Sequence, residues 1–579
     1  MALDFERLGY YDRAATKFIE LFRQQPTNGS YYNGVKRNLE RLGRFSELVT
    51  FIEDRLKVVD DIVGRADLGS AYYKNGQEQK AEETWKALLQ RYKRSSGAYA
   101  QVALAYMRNN LFDEAISTYK KGRDFLKNQR LFAWELATAY ASRSLYKEAT
   151  QEFLKFVGQS PRQASTVQRR LLQAMDEESQ DDILGEIQKH VRQAQNPSKG
   201  VLQIYANCLK KANRHSEALT ALVQVENAKT AQDSVKTLGR DVFNFADEMI
   251  KIGKPDVATE ALQGLLNNWP HSPYAVAANY GLAEAYLQAG EGDKAIASLD
   301  GIIGGNFRSN YVLRAHLLKG DILLNQMNAP ERALEVYTRV YQNFKNREAR
   351  KLSIIALGDV QFRLGDFEQA EARYNEATAF LADNDIATEN EVRMRFAEIA
   401  FSRGKYQEAV GHLEEIDEDP KARAGDKSLV NDALDFLLLI EQNLADSLTA
   451  LPLYAEFLQH KRGRNNAAAI DTLETLILRY PGSMLAPQAL MDVADLHNGA
   501  GNLQGVVEAY ARILKTYATS IFGDEAMFKL GKAYEKQKNT AVAIETYEKL
   551  LKDFPLSIFL ENARARIRLL RDTEPSSLQ

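Results

Sequence analysis

Apolar and small residues along this chain recur with the spacing of paired helices. In Leu530–Pro555, LGKAYEKQKNTAVAIETYEKLLKDFP, the residues Leu530, Gly531 and Tyr534 share one face of a first helix. A polar turn follows, then Ala543, Tyr547 and Leu550 recur at i, i+4, i+7 on a second helix that Pro555 stops. Small side chains at Gly531 and Ala543 let the two backbones approach, and the large ones fill the seam. With the small second-helix residue as a marker, the first units fall at Ala14, Leu48, Ala81, Ala115 and Ala149, spaced 34, 33, 34 and 34 residues apart. Four positions after each stands Phe18, Ile52, Trp85, Tyr119 or Phe153, and Pro26 and Pro161 close the first and fifth units. Such a seam at constant period predicts stacked helical hairpins.

The pattern blurs over 162–237. The next marker, Ala218, lies 69 residues after Ala149, which is room for two units. One of them, DEESQDDILGEIQKHVRQAQNP, keeps helical periodicity without the seam, and ENAKTAQDSVKTLG after Val225 reads as a long polar connection and a candidate hinge. Regularity returns at FADEMIKIGKPDVATEALQGLLNNWP, with markers Ala258, Ala295, Ala333, Ala370 and Ala409 at spacings of 37, 38, 37 and 39. The added residues lengthen the first helix. At Gly365–Gln369, Asp366 is placed to cap the second helix while Gln369 reaches back. Ala469 follows Ala409 after 60 residues, so one helix is out of phase. Here EEIDEDPKARAGD (414–426) reads as a solvated loop, followed by an apolar helix around Asp435–Ile440 and another holding Leu453, Tyr454 and Phe457. Markers resume at Ala469, Val506 and Ala543, the arginine-rich helix FLENARARIRLLRD closes the array against water, and EPSSLQ reads as a disordered tail. The expected organisation is a first array at 1–161, degenerate repeats at 162–237, a second array at 238–421, out-of-phase helices at 422–464, and terminal units at 465–579.

The L-G-x2-Y, A-x3-F, P pattern resembles the tetratricopeptide repeat. That resemblance implies an all-α fold: an α-solenoid, a right-handed superhelix of about fifteen helical hairpins. The longer period and the phrases YPGSMLAPQALMDVADL and FPLSIFLENARARI are similar to a subgroup of the BamD and CpoB (YbgF) type, in which P-x-S opens a long first helix. This similarity covers roughly 260–570 and tilts the expected setting toward the bacterial envelope.

Composition removes several function classes. The charge of -3, from 75 basic and 78 acidic residues, provides no strong field for nucleic acid or an anionic membrane. The lone cysteine, Cys208, excludes an intrachain disulfide framework and reads as a small core residue. No apolar run approaches the length of a membrane span, FLLLI (436–440) being the most apolar stretch singled out. No signal peptide is visible at the start. Gly9 already occupies an inter-helix turn, which raises the expectation of a removed upstream segment, a signal peptide or lipid anchor before Met1, with a short natural cap as the alternative. No two of the seven histidines stand at metal-binding spacing, and neither a phosphate-binding G-x4-G-K-[ST] loop nor a G-x-S-x-G elbow occurs. The glycines of GIIGGN (301–306) read as an inter-repeat turn. The expectation is a non-enzymatic protein with no cofactor and no metal site. The densest basic run, His-Lys-Arg-Gly-Arg at 460–464, reads as a polar turn in preference to a phosphate contact.

The family resemblance implies binding through the face lined by first helices, where repeat position 5 is Trp134, Phe243, Tyr280, Met394, Met491 and Phe528. These are the candidate partner-binding residues, with packing between helices as the alternative role. Position 9, which a carboxylate-clamp repeat fills with Asn, is here Ser70, Leu104, Thr138, Asp247, Glu284, Asp359, Asp495 and Lys532, so the clamp of chaperone-binding relatives is missing. The expected function is a scaffold that captures peptide or helical segments of partner proteins, assembling or tethering envelope components at a periplasmic or outer-membrane location. A glycan- or peptidoglycan-binding module and a cytoplasmic regulatory adaptor are the alternatives.

Overall fold

The computed structural model describes residues 1–229, 236–305, 309–381, 385–418, 427–444 and 450–573. Its described residues form 32 α-helices and no strand. By contact they divide into two compact units, Met1–Gly281 and Leu282–Gln579. Each is an α-solenoid of antiparallel helical hairpins stacked in chain order.

One turn geometry builds the hairpins. The first helix ends on a residue in the left-handed region: Gly9, Gly43, Gly76, Asn110 and Ser144 in the first five units. Asn213, Gly253, Gly290, Asn328, Gly365, Gly404, Arg464, Gly501 and Lys538 continue the series. Each stands five residues before its small marker. The next N–H donates back to a carbonyl five residues earlier, as in Arg44 to Leu39 (3.0 Å), Asp366 to Gln361 (2.9 Å) and Asn502 to His497 (2.9 Å). This Schellman closure satisfies the orphan carbonyls of the first helix and reverses the chain into the second. At Asn328 the π-helical stretch Ile322–Gln326 shifts the pattern, and the Ala329 N–H reaches Leu323 instead (2.8 Å).

Every marker from Ala14 to Ala543 is buried, and so is the large residue four positions on, from Phe18 to Tyr547. A methyl group on Gly531 would lie 2.5 Å from the Tyr547 ring, and one on Gly358 would lie 2.6 Å from Tyr374. The rings therefore rest directly on the backbone of the opposing helix. Trp85 does the same over Gly69 and donates its indole N–H to the Ala66 carbonyl (3.0 Å). The Asp366 cap forms as expected, its carboxylate accepting the Gln369 N–H at 3.1 Å. Gln369 reaches back to the Asp366 side chain at 2.6 Å rather than to its backbone.

Some local features differ from the sequence reading, and others fill it in. The degenerate unit is two helices, Ala164–Ala174 and Gln180–Gln193, that do not zip together as a hairpin. The first packs against Lys199–Lys211 and the second against Tyr146–Gln159, because neither carries the small-residue seam. At the described ends of the connection after Val225, Lys229 pairs with Glu226 (2.6 Å) and Asp241 (3.0 Å), and Glu226 accepts the N–H groups of Gly239 and Asp241 (2.7 Å each). Residues 230–235 of that call lie outside the described residues. Gly301 sits inside the helix Gly292–Ile303, not in a turn, because Ala295, Leu299 and Ile302 keep the buried stripe going past it. Similarly, the helix Tyr406–Glu418 runs into the segment read as a solvated loop, whose remainder, 419–426, is outside the described residues, as is the tail at 574–579. Among the described residues the 60-residue spacing holds one extra helix, Lys427–Leu444, packed on Tyr406–Glu418 before the hairpin of Leu451–Arg462 and Asn466–Arg479.

Candidate functional site

Successive first helices are joined side by side through polar bridges. Tyr32 and Lys36 on Gly29–Arg41 both reach Asp67 on Ile62–Lys74, at 2.9 and 2.8 Å. Tyr454 and Lys461 on Leu451–Arg462 repeat the arrangement on Asp492 of Leu485–Gly499, at 2.8 and 3.4 Å. Asp359 differs: Arg395 of the next first helix, Ile386–Ser402, donates to it at 2.9 Å, while Tyr374 donates from the second helix of its own hairpin at 2.7 Å. Burial pushes the Asp492 carboxyl above the usual carboxylate range, with Lys461 and the hydrogen bonds of Tyr454 and Gln488 opposing the rise. The same burial, reinforced by Asp67, raises the Tyr32 phenol far above its ordinary value. These hydrogen bonds tie each first helix laterally to the next. The sequence holds a trace of this motif, Lys36 and Lys461 each standing 31 residues before their aspartate.

The position-5 side chains are spread along both units rather than gathered at one place. Phe528 stacks on Phe559 at 5.0 Å and meets Tyr547 at 5.7 Å, while Phe243 meets Tyr274 at 5.4 Å. Tyr274 and Phe559 each stand two residues after a serine, Ser272 or Ser557, whose hydroxyl accepts their N–H at 3.0 or 3.1 Å. The P-x-S phrase thus aims an aromatic ring at the preceding repeat. Tyr280 and Met491 are buried, and Met394 is partly buried against the core around Ala397 and Phe401. Trp134 packs on Phe153 (5.5 Å) and Phe156 (5.3 Å) and lines a cavity of about 500 Å³. Arg130, Phe132, Glu135, Gln163 and Thr166 complete its walls.

Directly after the serine in the last three units stand Met484, Ile521 and Ile558, spaced 37 residues apart and 53%, 77% and 85% exposed. Their regular outward placement was overlooked in the sequence because a single apolar residue in a loop carries no periodic signal of its own. Among the described residues no group of three or more His, Cys, Asp or Glu could hold a metal ion, and no helix is long and apolar enough to cross a membrane. Cys208 is buried, which pushes its thiol up to about 12.

Residues 66–129, 243–310 and 355–423 match one tetratricopeptide-repeat family model, and 525–557 match another. No curated protein matches the chain. Among solved structures, that of Naa15/Naa10 bound to HypK-THB is 12% identical and aligns over 100% of this chain and 97% of that one, with a TM-score of 0.26. The APC/C hetero-tetramer Cut9-Hcn1 is 12% identical over 95% of this chain and 98% of that one, with a TM-score of 0.22. A tetratricopeptide repeat protein from Parabacteroides merdae is 12% identical over 57% of this chain and 98% of its own, with a TM-score of 0.23. The matched segments, with the repeating turn and seam, make this chain a member of the tetratricopeptide-repeat superfamily, a protein-interaction scaffold built from stacked helical hairpins.

Proposed function

We propose that this scaffold captures peptide or helical segments of partner proteins on the surface lined by its first helices, and that it assembles or tethers proteins of a bacterial envelope. The observation that carries the first part is the open cavity beside Trp134. A half-buried amphipathic ring that lines a cavity suits the anchor of a binding hot spot. The bridges on Asp67, Asp359 and Asp492 support it further, since first helices held in register present a preorganised surface and reduce the entropy lost on binding. The other position-5 residues, Phe243, Tyr280, Met394, Met491 and Phe528, shape that surface. The envelope setting is supported by the P-x-S turns and the 37-residue period.

Cross-linking capture from source cells tests both parts, comparing the wild type with Trp134→Ala and with Ile521→Ser/Ile558→Ser. The expected result is loss of envelope partners from Trp134→Ala alone, with its helical circular dichroism retained. Loss from the double serine variant alone would move the binding surface to the exposed turns. Partners drawn from cytosolic complexes would overturn the envelope setting.

A further inference from the structure

Within Leu282–Gln579 the basic run 460–464 meets a turn more than a hundred residues upstream. Asn328 donates to the Gly463 carbonyl at 3.0 Å, and Arg464 donates to the Gln326 carbonyl at 3.2 Å. Arg363 reaches the same strand of chain from the end of Arg347–Arg363, donating to Asn325 Oδ1 (2.9 Å) and the Leu324 carbonyl (3.4 Å). Arg462 lies with its guanidinium 4.2 Å from the centre of the Phe362 ring. The guanidinium groups of Arg363, Arg462 and Arg464 therefore gather where Arg347–Arg363 and Leu451–Arg462 end beside the turn at 326–328, with Arg395 close by.

Their charges are unevenly answered. Glu398 takes both Arg395 (3.1 Å) and Arg462 (2.6 Å), and Asp359 takes Arg395 (2.9 Å). Arg363 and Arg464 have only neutral acceptors among the described residues. Burial, with Arg464 and Arg462 beside it, pushes the Arg363 guanidinium below its ordinary value. Arg464 also holds a left-handed backbone, φ 52°, where the other turns mostly use Gly or Asn. The turn itself has no need of an arginine there.

We propose, resting on the scaffold reading above, that Arg363, Arg462 and Arg464 form a docking site for an acidic segment of a partner protein, whose side-chain carboxylates they take. Arginine forks match carboxylates bidentately, and the ring of Phe362 holds one of them flat. The occupant is a short acidic peptide and not a nucleic acid, because Glu398 and Asp359 interrupt the positive surface and would repel a continuous phosphate backbone. The site lies at the helix ends and turns, beside Asp359 at one repeat position 9.

The test measures fluorescence anisotropy of a labelled hexaglutamate peptide on the full chain, with hexalysine as the charge control. Wild type is expected to bind hexaglutamate alone, with affinity falling steeply between about 50 and about 300 mM salt. Arg464→Gly and Arg363→Gln are each expected to weaken it about tenfold or more. Arg464→Gly keeps the turn, so its melting temperature should hold or rise. Lys538→Gly, the same change in a turn without the arginine cluster, should leave affinity unchanged. Absence of hexaglutamate binding by wild type, equal weakening by Arg464→Gly and Lys538→Gly, or competition only by inorganic phosphate would each overturn the site. If Arg464→Gly captures the same cross-linked partners as wild type, the arginine site fails while the scaffold reading stands. If wild type captures none, the scaffold reading fails as well.

Discussion

At Gly531 the backbone of a first helix lies against the Tyr547 ring, and the 2.5 Å left for a methyl group is too short for any side chain. Gly531→Ala is therefore expected to destabilise its hairpin by about 1–3 kcal/mol through overpacking, read as earlier loss of amide protection in 523–553. Glu152 and Arg123 form a pair of the opposite kind, both nearly buried and 2.6 Å apart. Burial alone would raise the Glu152 carboxyl, but hydrogen bonds from Arg123 and Lys155 outweigh it and hold the group below its usual range. A carboxylate with a depressed folded value contributes stability above its unfolded value, about 4.3, and loses it as pH falls through the folded one. Glu152→Gln should cost about 3–5 kcal/mol at pH 7, by leaving the Arg123 charge buried and unanswered. The loss should shrink on acidification, and urea midpoints at pH 7 and pH 3 check the sign. At Cys208 the buried thiol should resist a disulfide exchange reagent in the native chain and react promptly in denaturant. Rapid native reaction would show that its helix pair opens.

At the scale of the element, the helix pair is defined by its turn. A left-handed residue five positions before each marker recurs whether the residue is Gly, Asn, Ser, Arg or Lys, so the geometry belongs to the hairpin and the residue adapts to it. Ser144, at φ 56°, bears the Cβ penalty of that conformation. Ser144→Gly is expected to raise stability by up to about 1 kcal/mol, and Gly365→Ala, at φ 80°, to lower it by about as much. Differential scanning calorimetry of the two variants beside wild type checks both directions.

At the scale of the molecule, each hairpin contacts its neighbours, so stability is close to a sum of repeat and interface contributions. Unfolding in urea should then spread over several transitions, and amide exchange should be slowest in the seam helices and fastest at Ala2–Arg7. A single sharp transition, coincident by circular dichroism and tyrosine fluorescence, would contradict this.

The hairpins, their period, the capping at Asp366 and the closing arginine helix were legible in the amino-acid order alone. They depend on residues a few positions apart, and a helix brings i, i+3 and i+4 together wherever it sits. The burial of every marker follows from that local rule. What the amino-acid order left undetermined involves residues a full repeat or more apart. The bridges on Asp67 and Asp492 depend on how one first helix is laid beside the next. The unzipped pair Ala164–Ala174 and Gln180–Gln193 depends on which neighbour offers a better apolar face. Arg363 and Arg464 come together because an extra helix, Lys427–Leu444, accompanies a return of the turn at 463–464 to the turn at 326–328. No local pattern encodes that return, since side chains a hundred residues apart share no periodicity. Tertiary packing alone decided it.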